Sequence, residues 1–282
     1  MTFPAAAVPD SFLEELRFAR RGYAHPLHLR DLSRDFAEAV LAFLFPQFTR
    51  ARRTGAAELD EELAHLDALL VEALSPTVVP SGDGPRLRKT FFDSIARLRV
   101  ALVEDAKALY EGDPAATSMD EVIIAYPGFL AVAWHRIAYL FWRGGAPLFA
   151  RLVSEHAHRQ TGIDIHPGAT LGRAIAIDHG TGVVIGETAV LGDRVKLYQG
   201  VTLGALSVEK ALAKKKRHPT IGNDVVIYAN ATILGGETVV GDESVIGGNV
   251  WLTRSVPPRS VVTHATMTER QRELEEAIEF NI

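Results

Sequence analysis

His179 stands in the segment Asp178-His179-Gly180-Thr181-Gly182, and Asp164 lies 15 positions before it. An imidazole is well suited to take a proton near neutral pH. A carboxylate on its other ring nitrogen would hold it in the right orientation. Together they could make a weak nucleophile, such as a hydroxyl, reactive. By type alone the pair does not name a reaction. Asp is a common turn residue, and a lone Asp–His pair is more often structural than catalytic. His166, placed before Pro167, reads as a corner residue. His218 follows the basic run Lys214-Lys215-Lys216-Arg217, which fits either a solvated loop face or attraction of phosphate groups.

The chain that must position these residues has 282 of them, 47% hydrophobic and 23% charged, with a net charge of −5. That is ordinary globular composition, and it does not suggest a nucleic-acid surface. There are no cysteines, which excludes disulfides and thiolate metal sites and fits a cytoplasmic protein. The N-terminus lacks a basic region followed by an apolar run and cleavage site, so no signal peptide is read. The longest apolar stretch, Phe129 to Trp142, is interrupted by His135 and Arg136. It is too short for a membrane span and reads as a buried helix.

Residues 11–160 read as helical. Phe36, Val40 and Leu44, and Leu59, Leu63, Leu66 and Leu70, fall at helical spacings, as do Leu13 and Leu16. Further helices are expected from Arg86 to Tyr110, Met119 to Trp142 and Pro147 to Thr161. Prolines and glycines mark 75–85 as a loop. After Gly162 the period changes to six: Ile165, Leu171, Ile177, Val183; then Ile185, Leu191, Leu197, Leu203; then Ile221, Ile227, Ile233; then Val240, Ile246, Leu252. No helix has that period. It matches the hexapeptide β-helix repeat, in which three short strands form each triangular coil and stacked coils bury an aliphatic column. Asp164 and His179, separated by close to one coil, could then be neighbours on stacked coils. Residues 204–220 lack the repeat and read as a loop thrown out from a corner. The expected architecture is an α-helical domain over 1–161, a β-helix over 162–258 with loop 205–218, and a tail over 259–282 that is helical from Thr268 to Glu279.

Five segments carry a specific resemblance: Gly112-Asp113-Pro114-Ala115, Asp164-Ile165-His166-Pro167, Asp178 to Thr188, Gly200 to Gly204, and Arg217-His218-Pro219. In this order and spacing, across roughly 87–258, the chain resembles the serine O-acetyltransferases, which belong to the hexapeptide-repeat acyltransferases. The resemblance implies a left-handed β-helix and acetyl transfer from acetyl-CoA to the L-serine hydroxyl, the first step of cysteine biosynthesis. It makes His179 the general base and Asp164 its orienting partner. Asp113 and Asp178 would hold the serine ammonium, and Arg217 and His218 its carboxylate, with His218 also supporting the transition state. Glu187 sits at a matching acidic position near the centre. Gly204, Ala205, Ala229 and Gly248 align with backbone positions that bind the co-substrate. The resemblance implies no metal and no permanently bound cofactor.

It also implies a homotrimer with sites between subunits, paired by the helical domains into a hexamer. The apolar residues Phe91, Phe92, Leu98, Trp134 and Trp142 are compatible with that pairing. The C-terminal Ile282 resembles the terminus by which family members dock on O-acetylserine sulfhydrylase, capture of a free carboxylate with an aliphatic side chain. The chain departs from the family in its long loop before Arg217, in Ser260 to Ala265, and in Tyr228, where a small residue is frequent. The rival readings are a hexapeptide acyltransferase for a sugar or amine, a zinc enzyme using His166, His179 and His218, and a non-catalytic scaffold for the sulfhydrylase.

Overall fold

A computed structural model of the chain describes residues 8–50, 53–75, 78, 79, 81–206 and 215–263. The expected helix at 268–279, Ile282 and part of the 205–218 loop lie outside the described residues. Numbered along the chain, the helices are α1 (Asp10–Gly22), α2 (Leu29–Leu44), α3 (Ala56–Ala73), α4 (Gly84–Gly112), α5 (Met119–Ala125), α6 (Pro127–Arg143) and α7 (Pro147–Thr161). The sequence pattern predicts one helix from Met119 to Trp142, but two form there, bent by 71°. The cause is Pro127: the residue before a proline is pushed out of the helical region, and Tyr126 is extended at φ −83°, ψ 119°. Proline then opens α6, where its missing N–H costs nothing. No single helix among the described residues is long and apolar enough to cross a membrane.

Phe36, Phe91, Phe141 and Phe149 form the centre of the helical core, their ring centroids 4.9–5.7 Å apart. Phe91, Leu98 and Trp134 are buried inside the protomer, so they are spent on its own core and do not form a pairing surface. On α3, Leu66 and Leu70 join the same core, while the rest of its stripe and that of α1 stay uncovered. Helix α1 buries no residue, and Phe12, Leu13, Phe18, Leu59 and Leu63 are exposed.

Beyond Gly162, which ends α7 at φ +70°, the chain winds into three parallel sheets. One holds β1 (Asp164–Ile165), β4 (Val184–Ile185), β7 (Thr202–Gly204), β10 (Thr232–Leu234) and β13 (Trp251–Leu252). The second holds β2 (Thr170–Leu171), β5 (Val190–Leu191), β8 (Thr220–Ile221) and β11 (Val239–Val240). The third holds β3 (Ala176–Ile177), β6 (Lys196–Leu197), β9 (Val226–Ile227), β12 (Val245–Ile246) and β14 (Val261–Val262). Register runs Ile165–Ile185–Leu203–Ile233–Leu252 on the first face. It runs Leu171–Leu191–Ile221–Val240 on the second and Ile177–Leu197–Ile227–Ile246–Val262 on the third. The six-residue period is therefore one inward aliphatic side chain per strand, each stabilising by about 1.5–3 kcal/mol when fully buried.

The coil does not stop at Pro258. Val256 bridges Val240, and β14 pairs with β12. Pro257 and Pro258 occupy a corner, where no ladder donor is needed, so the winding continues through Val262.

The two cores interlock. Ala131 and Val132 of α6 belong to the aliphatic column, and Ala176 of β3 belongs to the helical core. Helix α6 can approach this closely because of Gly128, where a Cβ would lie 1.9 Å from the Ile177 carbonyl oxygen. A buried ion pair fixes the junction. Arg136 donates to both carboxylate oxygens of Asp105 at 2.6 and 2.7 Å and to the Gly172 carbonyl at 2.8 Å. Asp105 also accepts from the Ile175 N–H at 2.9 Å. Such a pair is costly to break, since one partner alone leaves an uncompensated buried charge.

Candidate active site

The β3–β4 corner is longer than its counterparts. Ile177 and Ile185 are eight positions apart, where Leu197–Leu203, Ile227–Ile233 and Ile246–Leu252 are six apart along the same columns. The two extra residues lengthen the turn, in which His179 is exposed while Asp178 and Gly180 stay buried. The His179 side chain is 71% exposed. Its backbone is left-handed at φ 58°, but so are Arg194, Asp224, Asn230 and other corner residues. The left-handed turn therefore belongs to the corner, not to a strain peculiar to this histidine.

Asp113 and Asp178 meet His179 at this corner. His179 Nδ1 lies 3.8 Å from Asp178 Oδ1, and Lys196 Nζ lies 3.3 Å from Asp178 Oδ2. Asp113, at the end of α4, accepts a hydrogen bond from the Tyr126 hydroxyl at 2.5 Å and from the Ala115 N–H at 2.8 Å. The Tyr126 bond first, then the Ala115 N–H, with Lys196 and His179 adding, hold its carboxyl below the usual carboxylate range. The same bond pushes the Tyr126 hydroxyl up to about 12. Asp164, on β1 beside Val184, makes no hydrogen bond or ion pair with His179 among the described residues. Its charge acts on His166. His166 accepts from the Gly168 N–H at 3.0 Å, which is a corner role.

The second group gathers at the other end of β4. Arg217 pairs with Glu187. Thr188 Oγ1 accepts from the Arg217 N–H at 2.9 Å and the His218 N–H at 3.1 Å. His218 Nδ1 accepts from the Thr188 N–H at 3.1 Å and lies 2.9 Å from its hydroxyl. Burial first, then Arg217, lowers the His218 ring to about 4. It is therefore neutral near pH 7, with Nδ1 occupied as an acceptor and its proton on Nε2. A ring in that state donates a hydrogen bond and is a poor base. Lys216 donates to the Thr188 and His218 carbonyls at 3.0 Å each, so it anchors this segment.

The aligned co-substrate positions divide in the same way. Ala229 and Gly248 stack on corners of the third-to-first-face edge, above His179; the Ala229 carbonyl accepts from the Asn249 N–H at 2.9 Å. Gly204 ends β7 on the other edge, with Ala205 next, and its carbonyl accepts from the Gly235 N–H at 3.1 Å. Two of the prism's three edges thus carry the candidate residues, His179, Ala229 and Gly248 on one and Glu187, Gly204, Ala205, Arg217 and His218 on the other. No hydrogen bond or ion pair joins the two groups among the described residues. Sequence reasoning missed Tyr126, Thr188 and Lys196. Lys196 was open to it: it precedes inward-facing Leu197, so alternation turns it outward beside Asp178.

No protein-family model matches the chain. Individual relatives do. It is 51% identical over 196 residues to the plasmid serine acetyltransferase of Synechococcus elongatus, a span of 68% of this chain and 61% of that protein. It is 48% identical over 162 residues to the serine acetyltransferase of Mycobacterium tuberculosis, covering 57% of this chain and 69% of the relative. Among solved structures, serine acetyltransferase isoform 3 of Entamoeba histolytica in complex with cysteine superposes with a TM-score of 0.76 at 35% identity, covering 83% of this chain and 82% of that one. The Neisseria gonorrhoeae enzyme in complex with serine gives 0.58 at 31% identity, covering 84% and 95%. With this likeness across both the helices and the prism, the chain belongs to the serine acetyltransferase family.

Proposed function

We propose that the protein transfers the acetyl group of acetyl-CoA to the hydroxyl of L-serine, giving O-acetyl-L-serine and CoA. The observation that carries this reading is the meeting of Asp113 and Asp178 beside the exposed imidazole of His179. Two carboxylates suit an ammonium group, and a base next to them suits a hydroxyl one carbon further on. His179 takes the hydroxyl proton as the oxygen attacks the thioester carbonyl. The tetrahedral intermediate collapses with cleavage of the C–S bond, and the imidazolium returns its proton to the leaving thiolate. The His179 ring rests 3.8 Å from Asp178, and Asp164, on the resemblance, is the carboxylate that orients it in the working complex. Arg217 takes the serine carboxylate, and the His218 Nε2–H supports the developing oxyanion. A sugar acceptor would need neither the paired carboxylates nor the guanidinium.

The coil is read as left-handed, as the resemblance to the serine O-acetyltransferases implies. The site is read as lying between subunits of a trimer, because each protomer carries its two halves at opposite ends of β4. Ile282 is the proposed docking point for O-acetylserine sulfhydrylase. Its deletion is expected to abolish binding in a calorimetric titration, and unchanged binding would reject it.

The deciding assay is serine-dependent thiol release, with glycine and homoserine as controls. His179→Ala is expected to lose about 10²-fold or more of the rate, the range of a general base. Near-wild-type turnover in the folded variant would remove His179 from this role.

A further inference from the structure

We propose that Lys196 is a positioning residue for the amino-acid half of the site. This rests on the reading of Asp113 and Asp178 as the ammonium-binding pair. Those two carboxylates belong to different elements. Asp113 follows the end of α4, a helix of 29 residues, and Asp178 belongs to the prism corner. Their separation decides whether one ammonium can touch both, and it would vary with any rocking of α4 on the prism.

Lys196 bonds to both elements. It is the first residue of β6, in register with Ala176 on β3, and its side chain is 18% exposed. Its Nζ donates to the Gly112 carbonyl at 2.6 Å and lies 3.3 Å from Asp178 Oδ2. It also sits 4.7 Å from the centroid of the Tyr198 ring. The Gly112 carbonyl is one of the groups left without an intrahelical partner at a helix C-terminus, where a cation is favoured. One ammonium thus caps α4 one residue before Asp113 and holds the residue next to His179. The ammonium lies over the Tyr198 ring, which stacks on Tyr228 with centroids 5.1 Å apart and an interplanar angle of 5°.

The charge has a second consequence. Asp113 and Asp178 would repel each other in an empty site, and a cation between their elements relieves that repulsion. Lys196 therefore holds the carboxylates in place before the substrate arrives, and sets serine affinity without touching the reacting atoms.

The test is steady-state kinetics of full-length Lys196→Met and Lys196→Arg by thiol release, with thermal melts of each. For Lys196→Met the serine KM is expected to rise about tenfold, the loss of one charge-assisted bond. The acetyl-CoA KM should stay within about twofold, because the lysine contacts only the amino-acid half-site. Lys196→Arg should recover most of the serine affinity. A serine KM unchanged in Lys196→Met would overturn the inference. So would equal rises in both KM values, or a collapsed melting temperature that Arg does not restore, since these mark a purely structural lysine. If the wild-type protein itself releases no thiol with serine, the parent reading fails instead, and the two failures are distinguishable.

Discussion

Burial divides the labour among the imidazoles. His179 is open to solvent, as the proposed role as base requires, whereas His218 is enclosed and locked by Thr188 as a neutral donor. His135 is the extreme case. It is 2% exposed, and burial first, then Arg136, lowers it to about 3. Below pH about 6.5 the unfolded chain takes up a proton here that the folded protein refuses until about 3. The unfolded state therefore binds more protons in this window, and stability falls as pH falls from about 6.5 toward 3. His135→Gln should make the decline of melting temperature between pH 6.5 and 4 shallower than in the wild type. An unchanged slope would mean that His135 does not carry this linkage.

Among the elements, the corners do most to place the chemistry. At the β3–β4 corner two added residues lengthen the turn on which His179 is exposed. At the β4–β5 corner a missing side chain makes room for a ring. A Cβ on Gly186 would lie 2.0 Å from His218 Cδ2 and 2.1 Å from its Nε2. Gly186→Ala must therefore displace His218 from Thr188. Such overpacking costs about 1–3 kcal/mol, and turnover should fall by about tenfold or more with loss of the positioned donor. Combining it with His218→Ala, which empties the space, should remove most of the stability loss, a coupling that a double-mutant cycle reads directly. If Gly186→Ala melts and turns over like the wild type, the ring does not need this space.

At the scale of the whole molecule, the separation of the two half-sites makes a prediction about assembly. If each site joins the His179 edge of one protomer to the Arg217 edge of another, homotrimers of His179→Ala and of Arg217→Ala are both impaired at low serine. Reassorting equal amounts of the two should create intact sites from one good edge of each. Random mixing leaves about one site in four with both wild-type edges, so about a quarter of wild-type activity should return. No recovery on verified subunit exchange would place the whole site within a single chain.

Sequence alone determined the prism. A six-residue aliphatic period has one economical solution, and the strand registers follow the columns Ile165, Leu171 and Ile177 start. It also singled out Asp178-His179 and Arg217-His218 as candidates, because each of those two short motifs sits on a single turn. It could not determine which residues hold those groups in place. The Tyr126–Asp113 bond, the Thr188–His218 lock and the Lys196 tie to Gly112 join positions up to 84 residues apart, and no periodicity encodes them. The break at Pro127 was legible but outweighed by the apolar pattern around it. Only the tertiary structure decided that α4 delivers Asp113 to the His179 corner, because that depends on how two separately patterned cores interlock through Gly128 and the buried Asp105–Arg136 pair.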